Sequence, residues 1–278
     1  MLRRSTARQA GEPTGIELDA TNRAVLDLGD LTAITDYIVL SRPDIIVNAA
    51  AYTAVDKAES DVDTAVAINS TAVGAIADAA RKVGARFVHI STDFVFDGQA
   101  SSPYPVDAPV APLGVYGRTK YAGEVAALTA DALIVRTAWV YANGGHNFVT
   151  TMLRLMAERE EVRVVDDQFG TPTWANSLAE AIWQMIGNNA SGMYHYTDSG
   201  SASWYEFAVA IQENALAVGL LTRRAKLTPI TTADYPTTAR RPAYSVLDKS
   251  CTTALLGREA PDWRINLHRM LEEVVSHG

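Results

Sequence analysis

The chain has 278 residues, of which 48% are hydrophobic, and this is enough apolar material for one large α/β domain or two modest ones. Its formal net charge of −8 argues against non-specific binding to nucleic acid or to an acidic membrane surface. The one cysteine, Cys251, excludes an internal disulfide framework and suits a reducing, cytoplasmic compartment. No apolar run reaches the length of a membrane span, and no apolar stretch of a secretory signal follows the basic residues 1–4.

Hydrophobic periodicity predicts helices that alternate with strands from the first residues to about residue 187. The first predicted elements are the end of a helix over residues 2–9, a short strand over residues 15–19 and a helix over residues 30–41, capped by Asp30. Further strands are predicted at 44–48, 87–91, 133–137, 162–165, 193–196 and 227–230, and helices at 62–83, 116–130, 148–159, 178–186, 204–219 and 267–275. Because the strands are apolar on consecutive positions, they indicate a parallel sheet covered by helices on both faces.

Small, polar or aromatic residues that could contact a ligand follow three of these strands at their carboxyl ends. They are Ala49, Ala50 and Ala51, then Thr92 and Asp93, and then Trp139. Ligands of open α/β sheets bind at this edge, so the pattern predicts one active site. Three alanines would let a ligand approach the backbone, although tight packing of a helix on the sheet would require them equally. Within helix 62–83, Asn69 is either exposed or holds a water or a backbone group. The five histidines are scattered, and we expect no metal site.

Tyr116 and Lys120 are four residues apart on a predicted helix, so they lie on one face, one turn from each other. The ordinary pKa of a tyrosine is about 10, and a neighbouring ammonium would lower this pKa toward the working range. With the hydroxyl of Thr92 sharing the substrate oxygen, these groups could pass a proton to or from a carbonyl or alcohol oxygen. A solvent-facing pair would show the same spacing, and the strand-end residues favour the catalytic interpretation.

Several longer motifs occur in an order typical of one enzyme family. They are VNAAAYTAVDKAE at 47–59, STD and VFDG within 91–98, PLGVYGRTKYAGE at 112–124, RTAWVY at 136–141, DDQFGTPT at 166–173 and TARRP at 238–242. From about residue 27 to its end, the chain resembles the dTDP-4-dehydrorhamnose reductases, which are extended short-chain dehydrogenases/reductases. Phe94 departs from the tyrosine common in the family, which keeps an aromatic ring and loses a hydroxyl.

The resemblance implies a Rossmann-like, doubly wound NAD(P)-binding domain over residues 1–187 and a smaller, mainly substrate-binding domain over residues 188–278. It implies that NADPH or NADH reduces the C4 ketone of dTDP-4-dehydro-L-rhamnose to give dTDP-L-rhamnose. The implied partner is this nucleotide sugar, and the family allows a homodimer. Asp19 would favour NADH through the ribose hydroxyls, whereas Arg23 could accept a 2′-phosphate, so the cofactor preference is open.

The resemblance also implies a role for each candidate residue. Tyr116 would be the general acid, Lys120 its activator and a ribose contact, and Thr92 would bind the reacting oxygen. Asp93 and Trp139 would contact the nucleotide sugar. The residues implied to face the cofactor, besides Tyr116 and Lys120, are Ala49, Ala50, Ala51, Asp19, Asp27 and Leu28. Arg240 and Arg241 would meet the diphosphate or lie in a solvated basic loop, and residues 168–172 would shape an interdomain hinge.

The sequence lacks the glycine-rich turn GxxGxxG that opens the family's first helix and holds the cofactor pyrophosphate. Three explanations are open. The chain is a shortened form of a normal reductase, or its sheet closes by pairing the family's second strand with the fourth, or it is a non-catalytic relative that binds a sugar nucleotide or a partner. Without the first strand, we expect two internal strand edges to be unpaired. An epimerase or dehydratase of the same superfamily is a second enzymatic alternative.

Overall fold

The computed structural model describes residues 15–277, so the predicted helix over residues 2–9 lies outside the described residues. The helices are α1 (Leu31–Ser41), α2 (Val55–Ala58), α3 (Val62–Val66), α4 (Ala72–Val83), α5 (Val115–Leu128), α6 (Phe148–Glu158), α7 (Ala175–Gly187), α8 (Trp204–Ala217), α9 (Ser250–Leu256) and α10 (Trp263–His277). The strands are β1 (Ile45–Asn48), β2 (Arg86–Thr92), β3 (Leu133–Thr137), β4 (Val140–Tyr141), β5 (Glu161–Val165), β6 (Phe169–Gly170), β7 (Thr173–Trp174), β8 (Gly192–His195), β9 (Ala202–Ser203) and β10 (Lys226–Ile230). Across residues 15–277, no helix combines the length and the apolar composition needed to cross a membrane.

The main sheet is parallel, with its strands in the order β1, β2, β3 and β8. The register of β2 and β3 pairs Thr92 with Thr137, so these two strands end at the same level. Phe87 and Ile134 pack into an apolar cluster with α1 and α4 on one face. Val88 and Leu133, their neighbours in sequence, pack with α7 on the other face. The predicted α/β class, with a parallel sheet covered on both sides, is confirmed.

A second apolar core lies beside the sheet and contains the large side chains of α6, α8 and α10. Its buried members include Met156, Phe207 and Trp263. A two-stranded parallel sheet of β5 and β10 borders this core. The division after residue 187 remains a prediction, because the two cores interleave along the chain: α6 and β5 belong to the second core, whereas β8 lies in the main sheet.

The predicted strand over residues 15–19 is wrong, because this segment is irregular. Its apolar side chains bury little surface: Ile16 is 47% exposed and Leu18 is 67% exposed. A strand needs a paired neighbour and a buried apolar face, and within residues 15–277 this segment has neither. The alternative fold, in which the family's second and fourth strands close together, is therefore also wrong, because the second strand does not form. Instead β1 lies at one edge of the main sheet, where Val47 is 42% exposed.

The predicted cap of α1 is confirmed, since the Asp30 carboxylate accepts a hydrogen bond of 2.9 Å from the N–H of Ala33. The predicted helix over residues 62–83 is helical throughout but contains a π-helical turn at Ala67–Thr71. Such turns widen a helix locally and are frequent at functional sites. Asn69 lies in this turn and is 1% exposed.

Candidate active site

The predicted strand-end residues meet at one edge of the main sheet. Thr92 is the last residue of β2, and Asp93 follows it; both side chains are buried. Tyr116 lies in the first turn of α5, and Lys120 follows one turn later. The start of α5 is fixed by Glu59, whose carboxylate accepts a hydrogen bond of 2.7 Å from the N–H of Val115. A carboxylate at a helix N-terminus satisfies a free N–H and matches the positive end of the helix dipole.

Thr92, Asp93 and Tyr116 form a small electrostatic unit. The Thr92 hydroxyl donates a hydrogen bond of 2.9 Å to Asp93 Oδ1. Burial raises the pKa of Asp93 to about 6, against hydrogen bonds from Ser245 and Thr92 that lower it. Burial also raises the pKa of Tyr116 to about 12, a hydrogen bond with Thr92 opposes this rise, and the Asp93 carboxylate adds to it. The phenol is therefore held in its protonated form at neutral pH.

Lys120 is 2% exposed, and its amine is directed toward β2. Nζ donates a hydrogen bond of 2.6 Å to the carbonyl oxygen of Ile90 and lies 3.4 Å from Nε2 of His89. Burial lowers the pKa of Lys120 to about 8, and the Glu124 carboxylate acts in the opposite direction. The expectation that the neighbouring lysine lowers the pKa of Tyr116 is wrong. Burial dominates the pKa of Tyr116, and the lysine amine is engaged by β2.

Asn69 connects the π-helical turn to the chain that leaves β1. Its amide accepts a hydrogen bond of 2.8 Å from the N–H of Tyr52 and donates one of 3.2 Å to the Tyr52 carbonyl. The same amide donates a hydrogen bond of 3.1 Å to Oγ1 of Thr119 in α5. Of the two interpretations left open by the sequence, Asn69 thus holds a backbone group. It ties the segment after β1 to the helix of Tyr116 and Lys120.

A cleft opens at Phe94, the residue that follows Asp93, and aromatic rings form one of its walls. Its lining residues are Phe94, Trp139, Gln168, Trp204, Arg241, Pro242 and Ser245. The indole rings of Trp139 and Trp204 stack with centroids 3.4 Å apart and planes 6° apart. Trp139 has a left-handed backbone with φ of 49°, and a Cβ on Gly170 would lie 2.5 Å from its ring. The close approach of Gly170 holds the Trp139 ring in the wall of the cleft.

The two arginines of the basic loop have different environments. Arg241 lines the cleft and forms an ion pair of 2.7 Å with Asp56, whose carboxylate also accepts a hydrogen bond from the N–H of Ala239. Arg240 is exposed. The position of Arg241 fits contact with a bound anion, whereas Arg240 fits the solvated-loop interpretation. Gln168 is 5% exposed and donates a hydrogen bond of 3.0 Å to Thr232, and its hinge role remains a prediction.

The residues predicted to face the cofactor fall into two groups, one at the end of β1 and one on the segment that precedes α1. Ala49 and Ala50 are exposed at the end of β1, and Ala51 is half-buried. Asp19 is exposed and accepts a hydrogen bond from the Tyr37 hydroxyl of α1. On the same segment, Asp27 forms an exposed ion pair of 3.4 Å with Arg23, and Leu28 packs against the α1–α4 cluster. Their roles remain predictions.

A nicotinamide cofactor fits the edge of the main sheet where β1 and β2 end. Exposed small residues at the end of β1 leave the backbone accessible, and β1 pairs with β2, the strand that ends in Thr92. No glycine-rich turn for a pyrophosphate occurs within residues 15–277. In the same described range, no three His, Cys, Asp or Glu side chains come together as metal ligands.

Sequence reasoning missed several residues of the site. Glu59 ends the 47–59 motif, but it supports α5, 56 residues further on, and Trp204 and Ser245 lie outside the motifs, so only the folded chain shows these contacts. His89 is one of five histidines scattered along the sequence, yet it is fully buried beside Lys120. A detectable signal was present, because a histidine inside an otherwise apolar strand needs a hydrogen-bond partner.

A doubly covered parallel sheet with a threonine at a strand end, and a tyrosine and a lysine one turn apart on the following helix, is typical of a Rossmann-like oxidoreductase. A family model described as the RmlD substrate binding domain matches residues 5–276. The dTDP-4-dehydrorhamnose reductase of Burkholderia thailandensis is 44% identical over 263 residues, which are 90% of this chain and 88% of that protein. The Escherichia coli K12 enzyme of the same name is 45% identical over 255 residues, which are 89% of this chain and 85% of that protein.

A solved structure agrees with these sequence matches. The dTDP-4-dehydrorhamnose reductase of Bacillus anthracis, crystallised in complex with NADP, superposes with a TM-score of 0.86 at 37% identity. The superposition covers 91% of this chain and 89% of that chain. The chain belongs to the dTDP-4-dehydrorhamnose reductase family, and the predicted family is confirmed.

Proposed function

We propose that this chain reduces the C4 ketone of dTDP-4-dehydro-L-rhamnose to the alcohol of dTDP-L-rhamnose, with NADPH or NADH as the reductant. The observation that carries the proposal is the hydrogen bond between the Thr92 and Tyr116 hydroxyls, one helical turn from Lys120, at the strand edge of a family member. When bound, the nicotinamide cofactor supplies a hydride to the carbonyl carbon. Ala49, Ala50 and Ala51 would line this cofactor, and Lys120 would contact its ribose.

Tyr116 donates the proton that the reduced oxygen requires. Since the pKa of Tyr116 is raised to about 12, the phenol keeps its proton at neutral pH until the substrate oxygen becomes an alkoxide, which is a stronger base. Thr92 hydrogen-bonds the same oxygen and fixes its distance from the phenol. The family resemblance implies that Lys120 activates Tyr116, and its ammonium would stabilise the remaining phenolate by turning from the Ile90 carbonyl toward the phenol.

The cleft walls would orient the nucleotide sugar. The stacked rings of Trp139 and Trp204 offer a flat apolar surface for a deoxysugar face. Arg241 lines the same cleft, and a guanidinium suits a diphosphate, although its ion pair with Asp56 would have to open or be shared. Asp93, buried beside Thr92, would contact the sugar. A smaller, mainly substrate-binding unit after residue 187 also remains part of the proposal.

The proposal also covers the cellular location and the oligomeric state of the chain. A cytoplasmic location is supported by the reducing environment that a single exposed cysteine, Cys251, suits. A homodimer is proposed from the family resemblance, and sedimentation of the purified chain would test it.

The direct test is the stoichiometry of cofactor use. The purified chain is mixed with dTDP-4-dehydro-L-rhamnose and NADPH, and cofactor oxidation and dTDP-L-rhamnose are measured in the same samples. A reductase consumes one NADPH for each product molecule. Sugar conversion without cofactor consumption would indicate an epimerase or a dehydratase. Binding of the nucleotide sugar without any turnover would favour the non-catalytic relative, the alternative raised by the absent glycine-rich turn.

A further inference from the structure

A chain of hydrogen bonds runs from the end of β1 to Lys120 through two buried side chains. The N–H of Ala50 lies 3.2 Å from Oδ1 of Asn48, and Nδ2 of Asn48 lies 3.3 Å from Nδ1 of His89. On the far side of the ring, Nε2 of His89 lies 3.4 Å from Nζ of Lys120. Asn48 is 5% exposed and His89 is 0% exposed, so water does not compete for these groups.

The Ala50 N–H fixes the orientation of the Asn48 amide. A backbone N–H can only donate, so the Asn48 atom that faces it is the oxygen, and the NH₂ group faces His89. Nδ1 of His89 therefore accepts a hydrogen bond and carries no proton. In a neutral imidazole the proton then resides on Nε2, where it is directed at the amine of Lys120.

This arrangement is complete only when Lys120 is an uncharged amine, because an ammonium has no lone pair to accept a hydrogen bond. If Lys120 is charged, Nε2 must become the acceptor and the imidazole proton must move to Nδ1. The Asn48 amide must then present its oxygen to His89, which releases the N–H of Ala50. The imidazole stays neutral in both arrangements, and only the position of its one proton differs.

We propose that His89 is a positioning residue that couples the charge on Lys120 to the hydrogen bond between Asn48 and the N–H of Ala50. The inference rests on the proposed role of Lys120 in the reductase. Through His89, a change of charge at the proton-transfer site reaches a backbone N–H at the edge that would line the cofactor.

The surroundings leave few other partners for these groups. Burial and the positive charge of Lys120 lower the pKa of His89 well below its ordinary value, so the ring is neutral at neutral pH. The acidic group that acts on Lys120 is Glu124, whose carboxylate is held in a buried bidentate pair with Arg136 at 2.7 and 2.8 Å. Gly123 closes the space over the ring, since a Cβ there would lie 3.5 Å from Nε2.

The first test reads the position of the imidazole proton without any turnover. Nitrogen-15 NMR of histidine-labelled protein would follow the His89 ring on either side of the Lys120 pKa of about 8. We expect the proton on Nε2 at higher pH and on Nδ1 at lower pH, with this exchange absent in Lys120→Met. A ring that keeps one tautomer across this range, or one that becomes doubly protonated, would overturn the proposal.

The second test separates positioning from packing. His89→Leu should lower kcat by at least about tenfold relative to Phe87→Leu, with little change in the KM for the nucleotide sugar. Phe87 is a matched control, because it is buried on the same strand and packs into the α1–α4 cluster. His89→Gln, which retains an amide near Lys120, should restore most of kcat. Equal losses in His89→Leu and Phe87→Leu would overturn the proposal.

These tests also separate the inference from the proposed function. If the unmodified chain has no turnover, the proposed function fails, whereas the NMR experiment still decides whether His89 responds to the charge on Lys120. If the unmodified chain turns over and the His89 ring does not respond, the inference alone fails.

Discussion

Thr92 and Asp93 are buried beside the half-buried Tyr116, and desolvation changes the proton affinity of both acids. The sequence identified these residues from their place after a strand and on a helix. It did not predict that the pKa of Tyr116 would be raised, because desolvation depends on which elements pack over the phenol. The same reason explains why His89 was overlooked: its partners Asn48 and Lys120 are 41 and 31 residues away.

Asp93 should make the stability of the protein depend on pH. Its pKa is raised from 3.8 to about 6 in the folded state, so the folded protein binds the proton more tightly than the unfolded chain. The contribution of Asp93 to the unfolding free energy should therefore be largest below its unfolded pKa of 3.8. It should fall as the pH rises through the folded pKa of about 6, and then stay level. The change corresponds to roughly 3 kcal/mol. Asp93→Asn should remove this dependence and raise the unfolding free energy at neutral pH, as measured by urea denaturation.

Asp97 provides the matched control for that experiment. Hydrogen bonds from Tyr104 and from the N–H of Gln99 lower the pKa of Asp97, which is the opposite direction. Asp97→Asn should therefore remove stability that is present at neutral pH and lost in acid. The account of Asp93 is contradicted if both variants change the unfolding free energy in the same direction.

At the scale of elements, the site depends on how closely α5 approaches its neighbours. A Cβ at Gly117 would lie 2.1 Å from the carbonyl oxygen of Phe94, and a Cβ at Gly123 would lie 2.1 Å from the carbonyl oxygen of Asn69. Both glycines lie on the helix that carries Tyr116 and Lys120. The helix itself was predictable from the sequence. Its contact with a π-helical turn was not, because a π-turn has no periodicity that a short apolar stripe reveals.

Gly123→Ala should destabilise the protein, whereas Gly74→Ala should not. The new methyl group at position 123 would collide with the backbone of the π-helical turn, and overpacking of this kind costs about 1–3 kcal/mol. Gly74 lies inside α4, and its Cβ would meet Ala126 at 3.9 Å, an ordinary contact. Gly74→Ala should therefore stabilise the protein by roughly 0.5–1 kcal/mol through helix propensity.

Thermal and urea unfolding of the two glycine variants would check this comparison. Kinetics should show a lower kcat in Gly123→Ala, because displaced α5 residues include the proton donor. Equal stability of the two variants would show that α5 does not approach the π-helical turn as closely as the structure describes.

At the scale of the whole molecule, the sequence predicted the parallel sheet, its strand ends and the family. The prediction of a strand at residues 15–19 was wrong, because this apolar alternation finds no pairing partner within residues 15–277 and its side chains are exposed. Local pattern predicts a strand only when another strand is available to pair with it. The interleaving of the two cores was also not predictable, since it depends on which helices pack beside β5 and β10.

Cofactor binding tests the molecule as a whole. Fluorescence titration of the 278-residue chain with NADPH and with NADH should show saturable binding of both. Because Asp19 and Arg23 offer a carboxylate and a guanidinium near one another in sequence, we expect the two dissociation constants to differ by less than about tenfold. Absence of saturable binding by a folded sample would contradict the fit of the cofactor to this edge of the sheet.

The measurement that tests the central claim most directly is the turnover of Tyr116→Phe beside its binding of the nucleotide sugar. Tyr121→Phe is the matched control, because Tyr121 lies on the same helix with 38% of its surface exposed. We predict that Tyr116→Phe lowers kcat by about 10²–10⁴-fold and leaves the Kd of the nucleotide sugar nearly unchanged, while Tyr121→Phe retains normal turnover. Turnover of Tyr116→Phe equal to that of the unmodified protein would contradict the assignment of Tyr116 as the proton donor.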